Sequence, residues 1–438
     1  MLKKLIHKVK FSLADKDISE MLSKSFYFIL FRVGGTLFGY LFSVFITQTY
    51  GANIYGIVAL CFSFFLFIGV FGRLGIDTHV VKVFSSSDYI SEAGLFYKSV
   101  LKSFIVSSIL CFIIYFFDEE IIIHLLVEPK PEVLPYLPWI LFSVPLWSIV
   151  LISASFFRAR SQNNIFAFFN NPGRFFLSLV FLLVIYFFID KDPLITVIAH
   201  FYGILLLTII SLFLVYREFK GVRLDHKIKY WVFLKDSFPM MLASSAIIIL
   251  ASTDTFLMGV FKSNEDVGIY NVALKISTLS IFFLQAISSI LAPKIAKAYA
   301  EDDKSNFNKI MKFATKINFY LSSSLILLIL LFRDFLLKLF GEQFIEGELV
   351  LIILCIGQII SSFTGPVGVI MQMIGQQKAF RNIVVLALIL NIILNFNLIP
   401  LYGGIGAAIS TSISLFVWNI GSTIYLRKKL GIKSHLTF

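Results

Sequence analysis

Apolar runs of about 20 residues recur from one end of this 438-residue chain to the other, with only short polar breaks between them. At 1.5 Å of rise per residue, a helix of about 20 residues crosses the roughly 30 Å hydrocarbon core of a bilayer. The runs fall near 26–48, 54–72, 100–117, 134–157, 173–189 and 195–216, then near 238–261, 268–292, 314–332, 349–372, 380–399 and 403–426. Only 15% of the residues are charged and 58% are hydrophobic, against about 25% and 45–50% in a soluble domain. No aqueous globule of this size could be covered with so little polar surface. The chain reads as an all-α polytopic membrane protein of about 12 transmembrane helices.

The formal net charge of +12 would suggest a nucleic-acid partner in a soluble protein, so the placement of the cations decides its meaning. Alternate loops hold 31 of the 38 Lys and Arg residues. Cytoplasmic loops are the ones enriched in Lys and Arg, which predicts cytoplasmic N- and C-termini and removes the need for a nucleic acid. Residues 1–25 read as a basic, amphipathic surface segment, with Ile6, Val9 and Leu13 at helical spacing. Cys61, Cys111 and Cys355 lie in apolar stretches without metal-ligand spacing, and neither a disulfide framework nor a metal site is expected.

The opposite loops are short, the largest being the region around Asp118 to Glu132. A membrane glycosyltransferase or polymerase needs a sizeable extramembrane segment for its active site, which disfavours an enzyme. The acidic triplet Asp118, Glu119 and Glu120 reads as a solvated turn.

The basic segment 217–237 divides the chain into a first half, 26–216, and a second, 238–426, of six spans each, followed by a tail, 427–438. An even number of spans per half makes any repeat parallel. YGANIYGIVAL (Tyr50 to Leu60) is faintly echoed by NEDVGIYNVAL (Asn264 to Leu274). Two parallel six-helix lobes suit alternating access, with the substrate path between them.

Ionisable residues inside spans point to function. Asp254 and Lys275 lie on consecutive spans, each about ten residues from the turn between them, and are expected to form an ion pair at similar depth. Arg32 is followed by Gly34, Gly35 and Gly39, small residues that would turn this helix into the bundle. Lys275, Thr278, Gln285 and Ser289 approximate one helical face, and Asn391 and Asn395 repeat the pattern at i, i+4. With Gln358 and Asn419 they predict a hydrated lumen. Of the basic residues at the inner mouth, among them Arg73, Lys102, Arg158, Arg160 and Arg381, most serve as topological anchors. Arg174 stands apart because Asn170, Asn171 and Pro172 precede it at a bent helix start. More bases than acids along the route suits an anionic substrate, and Arg binds phosphate in bidentate fashion.

Several stretches resemble the polysaccharide flippases of the Wzx type, in the MATE-like MOP superfamily. They are YGANIYGIVAL, GRLGIDTHVVKVF, FPMMLASSAIIILASTDTFLMGVFKSNEDVGIYNVALKI, LAPKIAKAYAEDD and NIILNFNLIPLYGGIGAAISTSIS. The resemblance covers nearly the whole chain. It implies a MATE-like fold in a bacterial inner membrane. The expected function is translocation of undecaprenyl-pyrophosphate-linked oligosaccharide units to the periplasmic face for O-antigen or capsule assembly. Polymerase and chain-length proteins would be partners beside the membrane lipids. No cofactor is implied, and a proton or Na+ gradient would drive the cycle. Arg32, Lys275, Arg174, Gln285, Asn391 and Asn395 are the substrate-binding candidates, and Asp254 with Lys275 the coupling pair. A MATE-type multidrug or cation antiporter shares the fold, but such an exporter needs lumen carboxylates, and Asp254 is the one candidate.

Overall fold

The computed structural model describes residues 16–86, 89–127, 129–170 and 172–432. All regular structure among them is helical: α1 (Lys16–Gly72), α2 (Ile76–Phe84), α3 (Ala93–Phe116), α4 (Leu137–Ala159), α5 (Asn163–Asn170), α6 (Pro172–Phe188) and α7 (Ile195–Glu218) form the first half. The second contains α8 (Tyr230–Phe261), α9 (Asn264–Ser277), α10 (Ile281–Ala300), α11 (Lys304–Leu331), α12 (Arg333–Lys338), α13 (Glu348–Thr364), α14 (Val367–Met373) and α15 (Gln377–Leu430). Of the expected surface segment, residues 1–15 lie outside the described residues, and from Lys16 onward it is continuous with α1.

Eight helices are long and apolar enough to cross a membrane, or ten if each bent pair is one span, making this a multi-pass membrane protein. Two of them far exceed one crossing: Leu30–Gly72 has 43 residues and Gln377–Leu430 has 54. Each is broken by a glycine with positive φ, Gly51 at 81° and Gly403 at 56°, a conformation L side chains rarely adopt. These turns belong to one end of the bundle, the hairpin end, where Gln48 donates to the Leu339 carbonyl at 2.9 Å and Lys262 to that of Pro400 at 3.1 Å. The opposite, linker end joins the halves: the Glu92 carboxylate accepts from the backbone N–H groups of Lys227 and Ile228 at 3.2 and 3.3 Å.

Three spans depart from the uniform helices that hydropathy suggests. α8 begins at Tyr230 rather than near 238, and its first part, Tyr230–Met241, bends 49° from Ser245–Phe261. Pro239, which removes a backbone donor, sits just before the bend. The buried Phe233 ring stacks on His79 at 4.5 Å, so the start of α8 is docked on α2 of the other half. The span near 268–292 is interrupted by a 3₁₀ turn at Thr278–Ser280, where Ser277, Thr278 and Ser280 hydroxyls bond back to carbonyls three residues earlier. The span near 349–372 breaks at Gly365 and Pro366 between α13 and α14.

Candidate functional site

Side chains from both halves line a cavity of about 930 Å³. At the hairpin end the halves close on each other through the two hairpins whose sequences echo one another. A Cβ on Gly56 would lie 1.7 Å from the Asn264 carbonyl oxygen, and one on Gly268 would lie 2.2 Å from that of Ala52. Only glycine allows the backbones to cross so closely. Asn264 also donates to Glu132 at 2.7 Å, and Lys130 donates to the Lys262 carbonyl. From this seal the cavity runs toward the linker end, where Arg32, Gln372, Met373 and Phe380 line it.

Its two walls differ in chemistry. The first half supplies Arg32 and an aromatic surface including Phe42, Tyr55, Phe62 and Phe175. The second supplies most of the neutral polar groups, among them Gln285, Ser288, Gln358 and Gln372, and also Asp254 and Lys275.

Asp254 and Lys275 do not form the ion pair expected from their depth. The buried Asp254 carboxylate is instead held entirely by the second half. Its Oδ1 accepts from Asn391 at 3.0 Å and Asn395 at 2.7 Å, and its Oδ2 from Tyr270 at 3.1 Å and from Thr411. Four neutral donors replace the lysine, as a charge withdrawn from water requires. Lys275 reaches across to α1: its Nζ donates to the Gly39 carbonyl at 2.9 Å and to Ser43 Oγ, and lies 5.4 Å from the Tyr40 ring centroid. The Tyr40 hydroxyl in turn donates to the Lys275 carbonyl. Residue spacing along a hairpin says nothing about which direction around the helix each side chain faces.

Arg32 is the cavity cation that has no hydrogen-bond acceptor or carboxylate partner for its guanidinium among the described residues. Gln285 and Asn391 line the cavity, as expected of a lumen; Asn395 sits behind Asn391, inside the Asp254 cage. Arg174 is outside the lining. It is buried behind Phe175, its Nε donating to His200 Nε2 at 2.8 Å, with its guanidinium 4.4 to 5.6 Å from the ring centroids of Phe62, Phe65, Trp147 and Phe175. The expected contact of Arg174 with substrate is therefore replaced, in this conformation, by a packed cation–π box. Asn171 and the Ser289 side chain lie outside the described residues.

Sequence reasoning missed the acceptors Gly39 and Ser43, the donors Tyr270 and Thr411, the carboxamide of Gln372, and His200. His200 carried a usable signal, being an ionisable residue inside a span. The hydroxyls and the glycine carbonyl carried none, because such groups occur throughout the bundle.

The family model described as "Polysaccharide biosynthesis protein" matches residues 21–299, and the MatE model matches 239–397. Over 181 residues, 41% of this chain and 38% of the relative, the chain is 27% identical to a Haloferax volcanii protein named "Probable low-salt glycan biosynthesis flippase Agl15". Over 164 residues, 37% of this chain and 41% of the relative, it is 29% identical to the Staphylococcus aureus "Capsular polysaccharide biosynthesis protein CapF". The chain thus matches less than half the length of each of these two relatives. Among solved structures, an inward-facing multidrug resistance MATE family transporter of the MOP superfamily aligns with TM-score 0.76 at 16% identity, over 91% of this chain and 94% of that one. Lipid II flippase MurJ in an inward closed conformation aligns with TM-score 0.73 at 17% identity, over 91% and 88%. At these identities the likeness is one of fold.

Proposed function

The chain belongs to the polysaccharide biosynthesis protein family, within the MOP superfamily, and from that premise we propose that it is a flippase for polyprenyl-diphosphate-linked oligosaccharides. In a bacterium the carrier would be undecaprenyl pyrophosphate, and the membrane the inner one. The Lys and Arg bias assigns the linker end to the cytoplasm. The cavity then faces the side on which such substrates are built, sealed from the far side by the Gly56 and Gly268 crossing. In alternating access the seal opens and the linker end closes, while the prenyl tail stays in lipid.

The observation that carries this reading is Arg32. Among the described residues its guanidinium has no partner, a costly state in a partly buried wall unless an anion completes it, and a diphosphate matches its fork of donors. The one carboxylate on the wall, Asp254, is bound by four donors of the second half and not by Arg32, which leaves the guanidinium to an anion. Asp254 is then the coupling site: its oxygen-rich cage suits neutralisation by a proton or by Na+, the amides of Asn391 and Asn395 turning to present their carbonyl oxygens.

The MatE match over 239–397 includes Asp254 and favours a second reading, a cation exporter. Against it, a cationic substrate would meet Arg32, whose guanidinium has no carboxylate partner among the described residues.

The test is polysaccharide display in a host whose own flippase is deleted. Arg32→Ala should lower display at least about tenfold, the value of about 1.4 kcal/mol, at an unchanged level of protein in the membrane, and Arg32→Lys should recover part of it. Full display with Arg32→Ala would remove the diphosphate reading.

A further inference from the structure

Resting on the flippase reading, the inference here concerns which glycan the cavity takes. We propose that the second-half wall is a saccharide subsite selective for uncharged sugars, with the unpartnered side chains of Gln285, Gln358, Gln372 and Ser288 as its hydrogen-bonding groups.

Several polar groups on this wall are satisfied internally: Thr255 donates to Asn271 at 3.0 Å, Asn391 to Asp254, and Ser414 to the Ser410 carbonyl at 2.8 Å. Among the described residues the three glutamine carboxamides have no hydrogen-bond partner, although Gln358 is 5% exposed and all three line the cavity. Ser288 Oγ is likewise buried without a partner. Buried polar groups are nearly always paired. Each carboxamide offers donors and an acceptor, the combination that complements a hydroxyl, which both gives and receives a hydrogen bond. Nearby on the same wall Phe380 and Trp418 meet edge to face, with ring centroids 6.0 Å apart, giving an apolar surface for the C–H face of a sugar ring.

The charge distribution then selects among glycans. Among the described residues, the acidic and basic side chains lining the cavity are Arg32, Asp254 and Lys275. Lys275 is held against α1 and Asp254 is saturated, so the second-half wall offers no free cation to a uronate and no free carboxylate to an amino sugar. A charged sugar there would lose water without gaining a counter-charge, whereas hydroxyl and acetamido groups exchange water for carboxamides at little cost. The diphosphate belongs at Arg32 and the first uncharged sugars belong along this wall.

The test is equilibrium binding to the full-length chain in nanodiscs, using three short-chain prenyl diphosphates: bare, carrying one N-acetylglucosamine, and carrying one glucuronic acid. The neutral sugar should tighten binding over the bare lipid by about tenfold, and glucuronic acid should not. Gln285→Ala should bring the affinity for the neutral-sugar lipid down to that for the bare lipid measured on the same variant. Gln285→Lys, or Gln372→Lys at a more exposed position, should bring the glucuronic acid probe up to the neutral one. Equal affinity for the two sugars in the unmodified protein, or no gain from either, would overturn the subsite. If the bare diphosphate also fails to bind, the flippase reading fails with it.

Discussion

Asp254 and Lys275 are two buried charges of one cavity that solve the same problem in opposite ways. The carboxylate takes all four of its partners, Tyr270, Asn391, Asn395 and Thr411, from its own half. The ammonium takes its partners, Gly39, Ser43 and the Tyr40 ring, from the other half. The Asp254 centre can therefore persist when the halves move, while the Lys275 centre has to break if α9 leaves α1. One is a fixture of a lobe and the other a catch between lobes.

Three experiments sharpen that contrast. Asp254→Leu has the largest effect, because it strands four donors in a dry site. A loss of about 1–3 kcal/mol for each donor left buried and unsatisfied is expected, read as a drop of several degrees in the thermal midpoint of the purified protein, with Asp254→Asn intermediate. An unchanged midpoint would mean that the cage is not closed. Lys275→Met should cost less, about 1.5–3 kcal/mol for hydrogen bonds to a charged group, and should act on the catch rather than on the fold. A cysteine placed at Tyr55, which lines the cavity, should become at least about tenfold more reactive from the hairpin end. The native Cys61, Cys111 and Cys355 are buried and leave that readout clean. Equal reactivity in the two proteins would show that Lys275 does not hold the seal. The smallest effect is a coupling: in a double-mutant cycle on stability, Asp254→Asn and Lys275→Met should add within about 0.5 kcal/mol. A larger coupling would revive the direct ion pair.

Much of the architecture was legible because a bilayer imposes a length and an apolar composition on every crossing. The helical class followed from that constraint, and Arg32, Lys275, Gln285 and Asn391, which line the cavity, were visible as polar residues inside apolar runs. The local breaks did not. The 3₁₀ turn at Thr278–Ser280 shifts the phase between Lys275 and Gln285, and no proline or glycine marks it. Pairing was the least legible level. Asp254 and Lys275 read from the sequence as each other's partners, but apart from Tyr270 their partners come from α1 and α15, more than a hundred residues away in the chain. Arg174 showed the same limit: its bent helix start was visible, while the aromatic box that removes it from the lining is assembled from four separate positions.

The central claim is that the cavity is built for an anion through Arg32, and binding of farnesyl diphosphate to the full-length protein in nanodiscs tests it most directly. The account predicts that Arg32→Ala weakens this binding at least about tenfold, and that a lipophilic cation such as tetraphenylphosphonium does not compete. Undiminished binding by Arg32→Ala, or displacement of the diphosphate by the cation, would contradict it.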